Sequence, residues 1–166
     1  MKNMKKSTIL ILALLLGILA LGGCGDKQGN EEEKPATPAV ALADQFMKEI
    51  ESEKDIMKVA ESISENKAIT LGSLVKEEIS SKDFMPGFSK EIKEFKKAIK
   101  VQPMVSTIPF IYYVFETENP KKLVEDLKES ADLRWNICVE ADEMEIRESG
   151  NYVFFVMAPK SFEEQE

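Results

Sequence analysis

The 166-residue sequence contains no histidine, and this absence removes several kinds of catalytic and metal site. A Ser-His-Asp triad, a Cys-His pair and a histidine-ligated zinc site all require an imidazole. Phosphate-binding loops, dinucleotide-binding glycine patterns and EF-hand calcium loops are also missing from the sequence. We therefore predict no catalytic residue, no metal site and no cofactor.

Basic residues are also scarce relative to acidic ones. The chain has 22 Lys and Arg against 30 Asp and Glu, which gives a formal net charge of −8. Proteins that bind nucleic acid use clusters of basic side chains, so the composition argues against a nucleic-acid partner. An acidic body is also repelled by anionic lipid headgroups, and we expect it to stand off a membrane except at a point of attachment.

The N-terminal residues have the three parts of a secretion signal. Three lysines stand among the first six residues, an almost purely apolar run extends from Thr8 to Leu21, and the small pair Gly22-Gly23 precedes Cys24. The apolar run is shorter than the roughly 18 residues that a membrane-spanning helix needs. Residues 1–23 are therefore predicted to be a cleaved signal peptide.

The sequence from Leu21 to Cys24 resembles the lipobox of bacterial lipoproteins. The resemblance implies that the Cys24 thiol carries a diacylglyceryl group, with acyl chains such as palmitate, and that the protein is held at the extracytoplasmic face of the cell membrane. An ordinary cleaved signal with an incidental cysteine is the alternative. If Cys24 is lipidated, Cys138 is the only free thiol left, and we interpret it as a buried core residue, with pairing between chains left open.

Composition divides the remaining chain into a tether and one domain. Residues 24–37 hold the lipidated cysteine and a segment rich in Gly, Pro and charge, which predicts a flexible tether. Residues 38–160 are predicted to form a single α+β domain, because they are enough to enclose one core. Residues 161–166 are predicted to be a disordered tail.

The first half of the domain has apolar residues at helical spacing. Thr37 caps a first helix that begins with Pro38, and a second helical stretch ends at Asn66. In residues 69–79 Gly72 interrupts a short apolar pattern that fits a helical turn or a brief extended piece, and we predict a short helix there. Ser89 is predicted to cap a further helix. The predicted buried faces are Leu42, Phe46 and Ile50 in the first helix, Ile56, Val59, Ala60 and Ile63 in the second, and Ile92, Phe95 and Ile99 after Ser89.

The second half of the domain changes to an extended pattern. Apolar residues from Val105 to Phe115 predict one strand, which Pro109 restricts to an edge of a sheet because proline cannot donate to a ladder. Residues 143–147 alternate between apolar and polar, and Tyr152–Met157 is a continuous apolar strand suited to the middle of a covered sheet. The predicted fold is α+β, with a small antiparallel sheet of about three strands in the spatial order second-third-first, a split β-α-β arrangement covered by the N-terminal helices.

A helix between these strands is predicted to begin at Asn119-Pro120. We expect Trp135 on this helix to pack against Phe154 in the last strand. The predicted buried face of the helix is Leu123, Leu127, Ala131, Trp135 and Cys138.

Two motifs of the domain resemble a family of small uncharacterised lipoproteins of Gram-positive bacteria. They are Pro103-Met104-Val105-Ser106 and the terminal stretch from Gly150 to Met157, and the similarity runs from about Ala41 to Ala158. The family has no assigned reaction, so the resemblance implies location and fold and assigns no catalytic residue.

The function that these features favour is a non-catalytic interaction module that binds another envelope protein. The turn Phe84-Met85-Pro86-Gly87-Phe88 is the candidate contact, because Phe84, Met85 and Phe88 lie where Pro-Gly forces the chain to the surface. Alternatively, Phe84 and Phe88 fold back onto the N-terminal helices. A small-molecule-binding lipoprotein that assists a membrane complex is the other functional hypothesis. A hydrolase that uses carboxylates such as Glu143 and Glu145 is disfavoured, since alternation places both on a solvated face.

Overall fold

Five antiparallel strands form one sheet in the computed structural model, which describes residues 36–105, 107–136 and 138–162. The spatial order of the strands is β1-β2-β3-β5-β4. In chain order, the described elements are α1 (Pro38–Ser52), α2 (Ile56–Ser64), β1 (Leu74–Ile79), β2 (Lys97–Pro103), β3 (Ile111–Glu116), α3 (Pro120–Ser130), β4 (Glu143–Ser149) and β5 (Tyr152–Ala158).

The three described helices begin at the predicted capping residues or close to them. Thr37 precedes α1 with Pro38 in the first turn, although its side chain makes no capping hydrogen bond. The Asp55 carboxylate accepts a hydrogen bond from the backbone N–H of Met57 and starts α2, and Asn119 caps α3. None of these helices is long and apolar enough to cross a membrane.

The predicted split β-α-β arrangement is confirmed. β5 lies between β3 and β4 and pairs antiparallel with both, so that Val156 stands opposite Tyr112 on one side and Glu145 on the other. β5 is thus an interior strand, and its side chains from Val153 to Ala158 are buried, as expected for a strand that is apolar on both faces. The prediction of about three strands is wrong, since the described sheet has five.

One missed strand is β2, which ends just before the run from Val105 to Phe115 that was predicted to be a single strand. The first part of that run is a turn between Pro103 and Ile111, and its second part is β3, which pairs antiparallel with β2. Pro109 lies in the turn, where its missing N–H costs nothing, and β3 is an interior strand rather than an edge. The turn itself is apolar, and this hid the break in the sequence pattern.

The other missed strand is β1, which replaces the short helix predicted for residues 69–79. Its acidic residues pair with lysines of β2: Glu77 with Lys100 at 2.8 Å and Glu78 with Lys97 at 3.0 Å. The helix predicted after Ser89 is also wrong, because residues 89–96 are irregular and β2 begins at Lys97. Cross-strand pairing with β1 and β3 overrides the helical spacing of that segment.

α1 and α2 cover one face of the sheet, as predicted. The ring of Phe46 in α1 stacks on Phe154 of β5 with the centroids 5.3 Å apart. The Tyr112 hydroxyl donates a hydrogen bond to the Ala60 carbonyl oxygen at 2.7 Å, and the Ser64 hydroxyl lies 2.8 Å away. This face carries the larger part of the core.

α3 and the irregular segment 80–96 cover the opposite face. Leu123 and Leu127 of α3 are fully buried there, and Phe95 packs edge-on against Phe115 at 5.3 Å. Trp135 is half-buried on this face, whereas Phe154 faces α1 on the other. The predicted contact between Trp135 and Phe154 is therefore wrong, because the sheet separates them.

α3 ends at Ser130, earlier than the predicted apolar stripe. Ala131 is extended and forms a β-bridge with Phe88, and the Asp132 carboxylate then accepts a hydrogen bond from the N–H of Arg134 in a turn. Cys138 consequently lies beyond the helix and is exposed, so the interpretation of a buried core cysteine is wrong.

The packed chain also extends beyond the predicted domain boundary at residue 160. Phe162 is 9% exposed, and its ring meets Phe110 edge-on at 5.3 Å. The first two residues of the predicted tail therefore belong to the domain, and residues 163–166 lie outside the described chain.

Candidate functional site

The candidate contact turn follows a short loop that a carboxylate holds closed. Asp83 accepts hydrogen bonds from the N–H and the hydroxyl of Ser80, at 2.7 and 2.8 Å. These hydrogen bonds, the backbone one first, lower the pKa of the Asp83 carboxyl below its ordinary value. The loop directs the next side chain outward, and Phe84 is 83% exposed.

The rest of the turn is fixed to the sheet beneath it. The Tyr113 hydroxyl donates a hydrogen bond to the Pro86 carbonyl oxygen at 2.7 Å. Burial raises the pKa of Tyr113, with Glu77 adding to the effect, so this donor keeps its proton at neutral pH. Gly87 has a φ of +95°, and a Cβ placed there would lie 2.6 Å from the Met157 methyl carbon. The turn thus needs glycine for both its conformation and its close approach.

The structure separates the three residues that the sequence grouped as a contact. Met85 is only 6% exposed, and Phe88 packs against the rings of Tyr113 at 5.4 Å and Phe155 at 4.7 Å. Met85 is therefore not available to a partner, and Phe88 presents only part of its ring. The alternative of a plug on the N-terminal helices is wrong as well, since Phe88 lies on the sheet face opposite α1 and α2.

A shallow groove of about 230 Å³ runs beside Phe84. Its floor is apolar and its rim is charged. The lining residues are Asp83, Phe84, Met85, Phe88, Ser89, Lys90, Glu91 and Ile92. Protein–protein interfaces commonly combine aromatic side chains and an apolar centre with a polar rim, and the groove beside Phe84 has these features.

The carboxylates proposed for acid–base chemistry do not form an isolated pair. Glu145 forms an ion pair with Arg147 on the edge strand β4. Among the described residues, no group of three or more acidic or cysteine side chains is placed to hold a metal ion. The pKa values of the Asp83 and Glu118 carboxyls are lowered, mainly by hydrogen bonds, so these groups stay ionised at neutral pH and have no proton to donate as a general acid.

A second apolar surface, which the sequence reasoning missed, lies at the turn between β2 and β3. Met104 and Val105 are 70% and 67% exposed there. A groove of about 300 Å³ beside them is lined by Leu71, Gly72, Ser73, Pro103, Met104, Val105, Thr107 and Ile108. The signal in the sequence was the lack of any charged residue from Val101 to Phe115.

Cys24, the predicted signal peptide and the predicted tether up to residue 35 lie outside the described residues. Comparison of the chain with protein-family models, with curated proteins and with solved structures gives no match. The interpretation of the surface therefore rests on the residues themselves.

Proposed function

We propose that this chain is an extracytoplasmic lipoprotein attached to the membrane through Cys24, whose domain is a non-catalytic interaction module of the cell envelope. The sequence from Leu21 to Cys24 after an apolar run supports the attachment. The same pattern, with the motifs at Pro103 and Gly150, supports membership of the Gram-positive lipoprotein family that the chain resembles. The observation that carries the interaction role is Phe84.

Phe84 combines exposure with rigid presentation. Its ring is 83% exposed, while Met85, Gly87 and Phe88 on the same turn are held by the sheet. Burying an exposed phenylalanine side chain contributes about 1.5–3 kcal/mol. Because the backbone beneath it is already ordered, a partner would recover this energy with little loss of conformational entropy.

The grooves in the described chain support a protein partner more than a small molecule. They have volumes of about 210–320 Å³ and lie at the surface. Ligand pockets are usually about 300–1,000 Å³ and enclose most of the ligand. Both faces of the sheet are covered by buried apolar side chains, which form two packed clusters.

Attachment is tested by changing Cys24 to Ala and fractionating cells. We expect the variant to leave the membrane fraction or to accumulate as an unprocessed precursor. A processed variant that still requires detergent for release would refute the attachment.

The contact is tested by placing a photo-crosslinking amino acid at Phe84 in the full chain in native envelopes. The matched control has the same amino acid at Lys82, an exposed residue two positions away. We expect a discrete crosslinked protein from Phe84 and none from Lys82, and we expect Phe84→Ser to abolish co-purification of that protein without changing the melting temperature. Identical crosslinking from both positions would exclude Phe84 as a specific contact.

A further inference from the structure

Two uncharged segments meet at one end of the sheet. Residues 68–75 and 101–115 contain no Asp, Glu, Lys or Arg, in a chain that is 31% charged. Leu74, the first residue of β1, pairs with Pro103, the last residue of β2. The N–H of Met104 donates a hydrogen bond to the Ser73 carbonyl oxygen at 3.1 Å. We call this region the uncharged end and define it by Leu71, Val75, Met104, Val105 and Ile108.

The uncharged end also exposes most of the large apolar side chains found on the surface. Of the four such side chains in the described residues, Val75, Met104 and Val105 lie here, and Phe84 is the fourth. Met104 and Val105 are neighbours in one turn and border the groove of about 300 Å³. Apolar side chains that are adjacent, exposed and free of nearby charge indicate a surface that is covered in the cell.

The N-terminal end of the described chain lies at the same end of the sheet. Ala36 lines a depression together with Thr70, which adjoins Leu71, and with Phe162. Phe162 in turn packs on Phe110, two residues after Ile108. The described chain therefore begins, at Ala36, near the uncharged end. Fully extended, residues 25–35 allow at most about 40 Å between Cys24 and the domain.

Charge near this end favours a lipid surface. Lys67 and Lys160 line the depression next to Ala36, where they can reach lipid phosphates. The net negative charge of the chain opposes approach to an anionic membrane. That repulsion is screened beyond about 8 Å at physiological ionic strength, so an uncharged tip with lysines beside it can approach where the rest of the surface cannot.

We infer that the uncharged end rests on the outer surface of the membrane, with Met104 and Val105 inserted among the lipid headgroups. The inference depends on the proposed attachment through Cys24, because a chain held within about 40 Å of the bilayer meets lipid at a high effective concentration. This contact would fix the orientation of the domain, with the uncharged end of the sheet on the membrane. Phe84 lies on the segment that covers one face of the sheet and would remain accessible to a protein partner.

The test measures the distance from single side chains to lipid. The full-length lipidated protein, with Cys138 changed to Ser, carries one NBD fluorophore on Met104→Cys or Val105→Cys. It is reconstituted into phosphatidylglycerol–phosphatidylethanolamine vesicles that contain a lipid with a nitroxide quencher near the headgroup. The matched controls are Phe84→Cys, which replaces a similarly exposed apolar residue elsewhere, and Lys82→Cys.

We expect several-fold stronger quenching at Met104 and Val105 than at both controls. Adding Val105→Asp to the Met104 probe should remove that excess, because a carboxylate is costly to insert, and the melting temperature should stay unchanged since the side chain is exposed. Equal quenching at all four positions would overturn the inference. So would a Met104 probe that is shielded in native envelopes but not in protein-free vesicles, since a protein would then cover this end.

Failure of the attachment gives a different result. A protein that does not float with the vesicles has no lipid anchor, and both proposals then fall. A protein that floats with the vesicles but shows no excess quenching at Met104 retains its anchor and refutes only the orientation.

Discussion

Changing Phe154 to Ala should be among the most destabilising single substitutions in the domain. Its side chain is fully buried on the interior strand β5, stacks on Phe46 with the ring centroids 5.3 Å apart and contacts Tyr112 with the centroids 5.6 Å apart. Truncation of a buried phenylalanine to alanine costs about 3–5 kcal/mol, because it loses the transfer free energy and leaves a cavity. The same change at Trp135, which is only half-buried, should cost less.

A double-mutant cycle tests the assignment of these residues to opposite sheet faces. Phe46→Ala and Phe154→Ala remove two rings in contact, so their effects should deviate from additivity by about 0.5–1.5 kcal/mol. Trp135→Ala and Phe154→Ala lie on different faces and should be additive within about 0.5 kcal/mol.

The free energy of unfolding is measured by urea denaturation followed by far-ultraviolet circular dichroism, since Trp135 cannot report on its own removal. Equal coupling energies in the two cycles would refute the separation of the faces. A Phe154→Ala variant with an unchanged urea midpoint would refute the burial of Phe154 in the core.

Three further predictions address the turn, the buried hydroxyl and the free thiol. Gly87→Ala should destabilise the domain by about 1–3 kcal/mol, because the φ of Gly87 is +95° and the new Cβ would meet Met157. Gly72→Ala is the control and should be neutral, since no atom lies within 4 Å of its new Cβ. Equal melting temperatures of the two variants would contradict this prediction. Tyr112→Phe should cost about 1–2 kcal/mol through the hydrogen bonds lost to α2. Burial raises the pKa of Tyr112, so the folded state holds the Tyr112 proton more tightly than the unfolded state does. The free energy of unfolding should therefore fall as the pH rises above about 10. This alkaline loss should be smaller in Tyr112→Phe than in the unchanged protein, and identical pH profiles of the two would contradict the prediction. Cys138 should react with a maleimide in the folded protein, as mass spectrometry would show, and a thiol that reacts only after denaturation would contradict its exposure.

The sequence was sufficient for those elements whose local pattern and tertiary role agree. Asn119 marks a helix start that the structure confirms, and the unbroken apolar run from Tyr152 to Met157 placed β5 correctly in the interior of the sheet. Each of these signals is local: a capping oxygen, or apolar side chains on both faces of one strand.

The failures occurred where pairing partners distant in sequence decide the conformation. Ile92, Phe95 and Ile99 have helical spacing, but Ile99 pairs with Val114 in the sheet and the segment before it is irregular. β1 shows charged residues at successive positions, and only its partner β2 explains them as ion pairs. The spacing of apolar residues within one segment cannot reveal these pairings, because the partner residues lie about twenty positions away in the sequence.

The candidate site shows the same division. That Pro86-Gly87 makes a turn was predictable, because the two residue types restrict the backbone. Which rings leave that turn for the core was not, since Phe88 is held by Tyr113 and Phe155 from β3 and β5. Phe84 and Phe88 belong to the same turn, but Phe88 packs against aromatic rings of the sheet whereas Phe84 is exposed.

The two exposed apolar surfaces of this domain have different surroundings, and this difference supports separate roles. Phe84 stands beside a groove whose rim includes Asp83, Lys90 and Glu91, groups that can form specific hydrogen bonds and ion pairs with a protein. Met104 and Val105 have no charged residue near them in sequence and offer little beyond apolar area. A fluid lipid surface has no fixed geometry to recognise, so an uncharged apolar tip is sufficient for it. A protein partner is selected by charge and shape together, and of these two described surfaces it is the groove beside Phe84 that offers both.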